Sequence, residues 1–533
     1  MKILLVRHPT THFKHTAPPV SGLPLGLLYI AASCRQAGHQ VQIYDAIVAA
    51  DEDRWGYYES DGDLCRMGAT ESEIRKIIEE INPDVVGIGN QYSSQATNAL
   101  IVAQAAKKVN REIRVIVGGP HATVMPSTFF SRDSSVDYAV MGEGEATIVD
   151  LLNAMGGRQE IQTVKGVAYL DEGKLIINEK RNFIDPLDDI PLPAYDLLDM
   201  ERYFYFNGKG KDGRETYGYQ GSERSVSMIT SRGCPFNCIF CSIHLGMGRK
   251  FRAHSVNHVL EHIKLLKESY GINHLHFEDD NLSFDISRFR NIIDGMIAAG
   301  QNITWDTPNG VRADFLNEDI LERCKTSGCT YLRVGVESAN EYVSREIVRK
   351  RLDLDKVIEI AKSCNRIGID LEAFYIIGFP GENIYQMRET IDFAVRQERT
   401  HGLYPYGMFT ATPLIGTDLY KVCQGKGYLS RELSPENLAT ATQGQGMITT
   451  EDFNSEDLKK LLINFKIRHN IARVIFSFRF MIKHPGYFLI RLKDKSFMRR
   501  MITSLLKFEL RPLIAEFFLY RYKNCVVRKV GIK

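Results

Sequence analysis

Residues Ser231-Arg232-Gly233-Cys234-Pro235-Phe236-Asn237-Cys238-Ile239-Phe240-Cys241 place three of the ten cysteines within eight positions, spaced C-x3-C-x2-C. An apolar, strand-like run over residues 226–229 leads in, and an amphipathic helical pattern begins near Ser255. Three cysteines among Gly, Pro and Asn are not core composition. They suit a loop that binds metal. A four-iron cluster normally takes four cysteine thiolates. This loop offers three, which leaves one iron open to an outside ligand. Structural zinc takes four closed N/S ligands, usually from paired C-x2-C units. No second pair exists, although His244, three residues beyond Cys241, would complete a Cys3His set. The other cysteines (Cys34, Cys65, Cys324, Cys329, Cys364, Cys423 and Cys525) are scattered. That is no disulfide framework, and a reducing cytoplasm suits it better.

At 533 residues the chain has room for about three domains. In residues 1–160, short β-type runs (2–7, 41–45, 85–89, 114–117, 138–141) alternate with helical patterns (25–37, 71–81, 98–109 and one from Glu145). Five such units predict a doubly wound, Rossmann-like α/β sheet. Sheets of this kind bind ligands at the carboxyl ends of their strands, near the topological switch point. The loops at those ends are Asn90-Gln91 with Ser93-Ser94, Gly118-Gly119-Pro120-His121 and Gly142-Glu143-Gly144-Glu145. Each reads either as a tight turn and helix cap or as backbone open to a bulky ligand. No G-x-G-x-x-G follows the first strand, so a dinucleotide site is not indicated.

Residues 161–224 form a link. A hairpin is expected over 164–177 around Asp171-Glu172-Gly173, followed by an extended connector with Pro186, Pro191 and Pro193. The glycine-rich stretch 207–224 reads as an active-site cover or as a plain exposed loop. From 225 to 425, six strand-type runs (226–229, 274–278, 303–307, 331–336, 371–377, 407–412) each precede a helical pattern. They predict a partial (β/α)6 barrel with its site at the carboxyl ends of the strands. Polar groups recur there: Glu278-Asp279-Asp280-Asn281, Asn309-Gly310-Val311-Arg312, Glu337-Ser338 and Gly378-Phe379-Pro380-Gly381-Glu382. Any one of them is an ordinary helix cap. Recurrence at successive strands favours a site.

The C-x3-C-x2-C spacing, with Phe240 before the last cysteine, resembles the radical SAM signature. Residues 23–32 with the Gly118–His121 and Gly142–Glu145 loops resemble the cobalamin-binding domain that precedes it in class B radical SAM enzymes, chiefly methyltransferases. Residues 23–32, Tyr57-Tyr58, 276–281 and 412–416 look most like the branch that methylates phosphonate carbon. The resemblance implies a [4Fe-4S] cluster on Cys234, Cys238 and Cys241. It implies S-adenosyl-L-methionine held near Phe240, Asp280, Asn309, Arg312, Glu337 and Ser338. It implies cobalamin, as methylcobalamin, against Pro24, Leu25, Gln91, Ser93, Ser94, Gly118, Gly119, Pro120, His121, Gly142, Glu143 and Gly144. No D-x-H-x-x-G is present, so no histidine on cobalt is implied, and His121 reads as a loop or capping residue. Glu278-Asp279-Asp280 replaces the superfamily's Gly-Gly-Glu run, which leaves open which acid meets the amino group. The implied reaction is methyl transfer to a substrate carbon radical made by a 5′-deoxyadenosyl radical. A non-methylating cyclase or rearrangement enzyme is the alternative, and an iron–sulfur binding or electron-transfer protein is the alternative of another class. Because the cluster and cobalamin carry the chemistry, no catalytic side chain is nominated.

Residues 426–533 read as a helical C-terminal region with a basic, aromatic tail. Lys466–Lys533 carries a net +14, which leaves −12 for the rest of the chain. The tail suits basic faces of packed helices, docking on an anionic membrane surface, or a cover for an anionic substrate. No nucleic-acid module is recognisable. No apolar run is long enough to span a bilayer. The expected setting is cytoplasmic or peripheral at the membrane's inner face. The expected partners are a small-molecule substrate, anionic or lipid-like, and an electron donor such as flavodoxin or ferredoxin.

Overall fold

The computed structural model describes residues 1–13, 22–49, 59–61, 64–131, 134–208, 224–434, 437–438 and 446–483. Tyr57-Tyr58, most of the 207–224 stretch and the tail beyond Lys483 lie outside them. The chain divides into two compact units. One comprises Met1–Ile303 with the described part of Pro413–Gln443. The other comprises Thr304–Thr412 and the described residues after Gly444.

In the first unit, strands β1 (Lys2–Arg7), β2 (Gln40–Asp45), β3 (Val85–Gly89), β4 (Arg114–Gly118) and β5 (Tyr138–Val140) form a parallel sheet. Their side chains alternate between two apolar layers. Leu4, Val6, Val86, Ile88, Val115 and Val117 pack on one face. Ile3, Leu5, Val85 and Ile116 pack on the other. Burial on both faces is why these strands read as continuous apolar runs. Helices α1 (Leu25–Gln36), α2 (Glu71–Ile81), α3 (Ala96–Val109) and α4 (Gly144–Met155) connect them. The start of α2 is set by a capping box in which Thr70 and Glu73 satisfy each other's backbone N–H, and left-handed Asn82 ends it.

The hairpin expected in the link, β6 (Val167–Asp171) and β7 (Lys174–Ile177), instead extends this sheet. It adds antiparallel beyond β5, giving the order β7-β6-β5-β4-β3-β1-β2. A further three-stranded sheet (Thr10–Phe13, Glu59–Asp61, Leu64–Met67) was not legible, because its short segments lack an apolar alternation. The proline connector is anchored rather than free. Tyr195, buried, meets His262 Nε2 through its hydroxyl at 3.0 Å. Asp188 accepts from His254 Nδ1 and the Ser255 N–H, both at 3.0 Å.

Also in this unit are the parallel pair β8 (Ser225–Met228) and β11 (His274–Phe277), and a two-residue antiparallel ribbon of β9 (Ser231–Arg232) and β10 (Arg252–Ala253). Helix α5 (Val256–Tyr270) starts at Ser255, whose hydroxyl accepts from His258 N–H, and stops at left-handed Gly271. Helix α6 (Ile286–Ala298) follows β11. The second unit continues the alternation in parallel strands β12 (Thr304–Asp306), β13 (Cys329–Glu337), β14 (Asp370–Ile377) and β15 (Tyr404–Thr410). Helices α7 (Glu318–Thr326), α8 (Leu354–Ile367) and α9 (Ile384–His401) intervene. Helix α10 (Ser455–Lys483) packs on α9, and His469 Nδ1 reaches Glu398 Oε2 at 2.7 Å. All six strands expected over residues 225–425 are present. Among the described residues, no helix is long and apolar enough to cross a membrane.

Candidate active site

The cluster loop leaves β9 at Gly233, whose φ is +82°. A Cβ there would sit 2.4 Å from the Lys250 carbonyl oxygen, so only glycine lets the loop turn back against that strand. Cys234, Cys238 and Cys241 are partly exposed, whereas Cys34, Cys65, Cys324, Cys329, Cys364 and Cys423 are buried. That contrast sets the three loop thiols apart from the core thiols. The Cys241 N–H donates to the Cys238 carbonyl at 3.1 Å, folding the C-x2-C turn. Burial, with added repulsion from Cys238 and Cys234, pushes the Cys241 thiol up to about 12. Three thiolates are unfavourable together until metal replaces their protons, so the donor set fits a bound cation cluster.

The acidic run beyond β11 has divided roles. Asp279 is buried and accepts from Thr230 N–H at 3.1 and 3.2 Å, from the Thr230 hydroxyl at 2.8 Å and from the Ser231 hydroxyl. It is a strut under the cluster loop. Among the described residues, Asp280 accepts only from the Gly233 N–H, at 3.3 Å. Burial, reinforced by Asp279, raises its carboxyl to about 6. The Asn281 amide lies 3.8 Å from Cys234 Sγ. Of the two acids, Asp280 is therefore the one placed beside the cluster loop without a full set of internal bonds. Phe240 is half-buried in the same loop.

At the carboxyl ends of the first sheet, the order of strands reverses between β1 and β3. His8 and Asn90 directly follow those strands and meet at 3.4 Å, both buried. The His8 Nδ1 lies 2.6 Å from the Pro9 carbonyl oxygen, and burial holds its pKa down to about 4. Asn90 Oδ1 is buried with no hydrogen-bond partner among the described residues. Gly119, at φ +109°, lies so close to Asn90 that a Cβ would be 2.5 Å from the Asn90 carbonyl oxygen. By contrast, a Cβ on Gly142 would meet open space. An orphaned acceptor and an open backbone cradle at the switch point fit a large ligand such as a corrinoid. Asn90 belongs to a loop the sequence marks, whereas His8 is not singled out there. The signal was their position, one residue past each strand flanking the reversal.

His121 lies 2.8 Å from Ser93 Oγ and 3.1 Å from Thr128 Oγ1, so both ring nitrogens serve the loop. Ser93 begins a short helical turn ahead of α3, with exposed Gln91 before it and half-buried Ser94 after it. Pro24 and Leu25 open α1, and Pro120 opens the short helix Pro120–Val124. Gly118 ends β4 and Gly144 begins α4. The Glu143 carboxylate is bound to Arg232, Arg252 and the Ile184 N–H, which engage both of its oxygens.

In the second unit, Arg312 donates to Asp314 at 3.0 Å through Nε and to the Lys350 carbonyl at 3.2 Å. Lys350 Nζ donates to Glu337 at 2.8 Å. Lys350, absent from the sequence reading, thus gathers Arg312 and Glu337. Glu337 ends β13 at φ +62°, a strained backbone for a side-chain-bearing residue. Ser338, fully buried, meets Thr390 Oγ1 at 3.2 Å. Asn309 follows β12 in the Pro308–Gly310 turn. A cavity of about 750 Å³ lined by Met1, Asn82, Asp84, Asn110 and Arg114 lies in the first unit, at the amino-terminal ends of its sheet's strands and so opposite His8 and Asn90.

Comparison with known proteins identifies two cofactor regions. Residues 18–152 match the B12 binding domain family, and residues 228–394 match the radical SAM superfamily. An uncharacterized methyltransferase of Pyrococcus horikoshii is 32% identical over 92% of this chain and 97% of its own length. The cytidylyl-2-hydroxyethylphosphonate methyltransferase of Streptomyces wedmorensis is 30% identical over 89% of this chain and 90% of its own. The chain belongs to the cobalamin-binding radical SAM enzymes. In this family member, the B12-binding region is the Rossmann-like sheet, the radical SAM α/β core follows it and helices close the chain. The cofactor set is accordingly a [4Fe-4S] cluster, S-adenosyl-L-methionine and cobalamin. A solved relative in fold, the cobalamin-dependent S-adenosylmethionine radical enzyme OxsB, covers 99% of this chain and 80% of its own at 16% identity, with a TM-score of 0.64.

Proposed function

We propose that this enzyme is a methyltransferase that places a methyl group on an unactivated substrate carbon. The observation that carries the reading is similarity of at least 30% along about nine tenths of the chain to two methyltransferases, in a chain that keeps both cofactor regions. When bound, the cofactors supply the methyl group and the 5′-deoxyadenosyl radical that removes the substrate hydrogen. The protein's share is to bind, orient and shield. Cys234, Cys238 and Cys241 would hold three irons and leave the fourth for S-adenosyl-L-methionine. Asp280, beside the loop, is the acid proposed to meet its amino group. Asn90, the Gly118-Gly119 turn and Gly142 would face the corrinoid. A small-molecule substrate and a low-potential electron donor are proposed as partners.

The test is anaerobic reconstitution of the full chain with iron, sulfide and cobalamin, followed by assay with S-adenosyl-L-methionine and a reductant. The substrate panel should begin with nucleotidyl phosphonates, suggested by the named relative. Methylated product accompanied by S-adenosylhomocysteine and 5′-deoxyadenosine is the expected result. An altered substrate with 5′-deoxyadenosine and no added methyl would replace this reading with a cyclase or rearrangement enzyme.

A further inference from the structure

The ribbon that carries the cluster loop sets Arg232 directly opposite Arg252, as cross-strand partners of β9 and β10. Like charges facing each other across a strand pair repel. Here the side chains are also buried, 7% and 2% exposed, where repulsion is least screened. The ribbon nevertheless closes, because Glu143 enters between the two. Its Oε1 lies 3.1 Å from Arg232 Nη1 and 2.9 Å from Arg252 Nη1. Its Oε2 accepts from Arg252 Nη1 at 2.9 Å and from the Ile184 N–H at 2.7 Å. Glu145 takes the other side of Arg232 at 2.5 Å. Two guanidiniums and two carboxylates form a buried set without net charge.

The two halves of that set have different origins. The carboxylates come from the loop between β5 and α4 and from the first turn of α4, in the B12-binding sheet. The guanidiniums come from the ribbon, and Gly233 and Cys234 follow Arg232 without a break. That step has no slack, since Gly233 is packed on the Lys250 backbone. Arg252 is further pinned to the Met247 and Ile184 carbonyls at 2.8 and 2.6 Å.

We propose that Glu143 is a positioning residue for the iron–sulfur cluster: its carboxylate, supplied by the B12-binding domain, neutralises the Arg232–Arg252 pair and so holds the ribbon and Cys234 in their ligating arrangement. The B12-binding domain therefore has a second task besides its own cofactor. The inference rests on the three-cysteine cluster, and it is independent of whether the reaction is a methylation.

The test uses the full chain, reconstituted anaerobically, as wild type, Glu143→Gln and the double variant Glu143→Gln with Arg252→Gln. Three quantities are read: iron release to a chelator, the electron paramagnetic resonance signal of the reduced cluster with and without S-adenosyl-L-methionine, and cobalamin binding by absorbance. Glu143→Gln is expected to release iron about tenfold faster, within the range for removing a group that supports a metal ligand. It is also expected to lose the signal shift caused by S-adenosyl-L-methionine while still binding cobalamin. The double variant removes one of the facing charges and is expected to recover most of the slow release and the shift. Wild-type release and signal in Glu143→Gln overturn the inference. So does a double variant no better than the single, because charge balance would then be irrelevant. If Glu143→Gln does not fold, Glu143→Asp keeps the charge on a shorter arm; faster release supports the inference and wild-type release overturns it. A wild-type chain that binds no iron overturns the cluster assignment itself, and this inference with it.

Discussion

Asp279 holds Thr230 at both its backbone and its side chain, accepting from the N–H at 3.1 and 3.2 Å and from the hydroxyl at 2.8 Å. Both residues are buried, and together they fix the end of β8 just before the cluster loop begins. Replacing Asp279 with Ala takes this acceptor from a buried N–H and from the buried hydroxyls of Thr230 and Ser231, at about 1–3 kcal/mol each. The expected outcome is a chain destabilised by about 3 kcal/mol that loads iron poorly. Asp279→Asn, which keeps one acceptor, is expected to lose less. Denaturant unfolding and iron content check both.

Cys238→Ala is expected to abolish the cluster and S-adenosyl-L-methionine cleavage, and Cys234→Ala and Cys241→Ala to behave alike. Cys324→Ala and Cys364→Ala remove core thiols and are expected to lower stability while iron content stays at the wild-type level. Iron per chain and the cluster's visible absorbance separate the two groups. Full cleavage activity in Cys238→Ala would sink the assignment.

Asn90 Oδ1 is a buried acceptor at the strand reversal with no partner among the described residues. If a corrinoid amide donates to it, Asn90→Ala loses one hydrogen bond, about 1.4 kcal/mol or tenfold in affinity. Titration of cobalamin into the protein, followed by absorbance, is expected to show that weakening with iron content unchanged. Unaltered affinity would remove Asn90 from the corrinoid site.

Glu382 is buried, and burial raises its carboxyl from 4.5 to about 8, against the Gly378 and Phe379 N–H groups that favour its ionised form at 2.7 and 3.0 Å. The folded state therefore holds a proton that the unfolded state releases between pH 4.5 and 8. Stability contributed by this group is present in full below 4.5 and falls as pH rises through that window. Glu382→Gln cannot ionise. Its melting temperature is expected to decline less between pH 5 and 8 than that of the wild type.

His469 and Glu398 join α10 to α9 at 2.7 Å, and both side chains are nearly excluded from solvent. Truncation to Ala at His469 leaves the Glu398 carboxyl buried without this partner, a change of about 3 kcal/mol. Thermal unfolding is expected to show that loss, and limited proteolysis to show earlier cleavage within residues 455–483.

Much was legible in the sequence for local reasons. The C-x3-C-x2-C spacing lies within one loop, so its meaning needs no partner from elsewhere. Apolar runs such as Lys2–Arg7 and Val85–Gly89 mark parallel strands because both faces are covered. The roles of neighbouring, chemically alike residues were not legible. Asp279 and Asp280 are adjacent acids, yet one is a strut and the other stands beside the cluster loop. Glu143 reads as a ligand contact in a glycine loop, yet its carboxylate is held by Arg232 and Arg252, which lie 89 and 109 positions away. Strand pairing across such separations decides which way each side chain faces. Sequence alone therefore determined the cofactors this chain is built to carry, while the tertiary structure decided which polar residues remain open to them and which are occupied in holding the frame, because a buried charge must find its partner wherever the fold brings one.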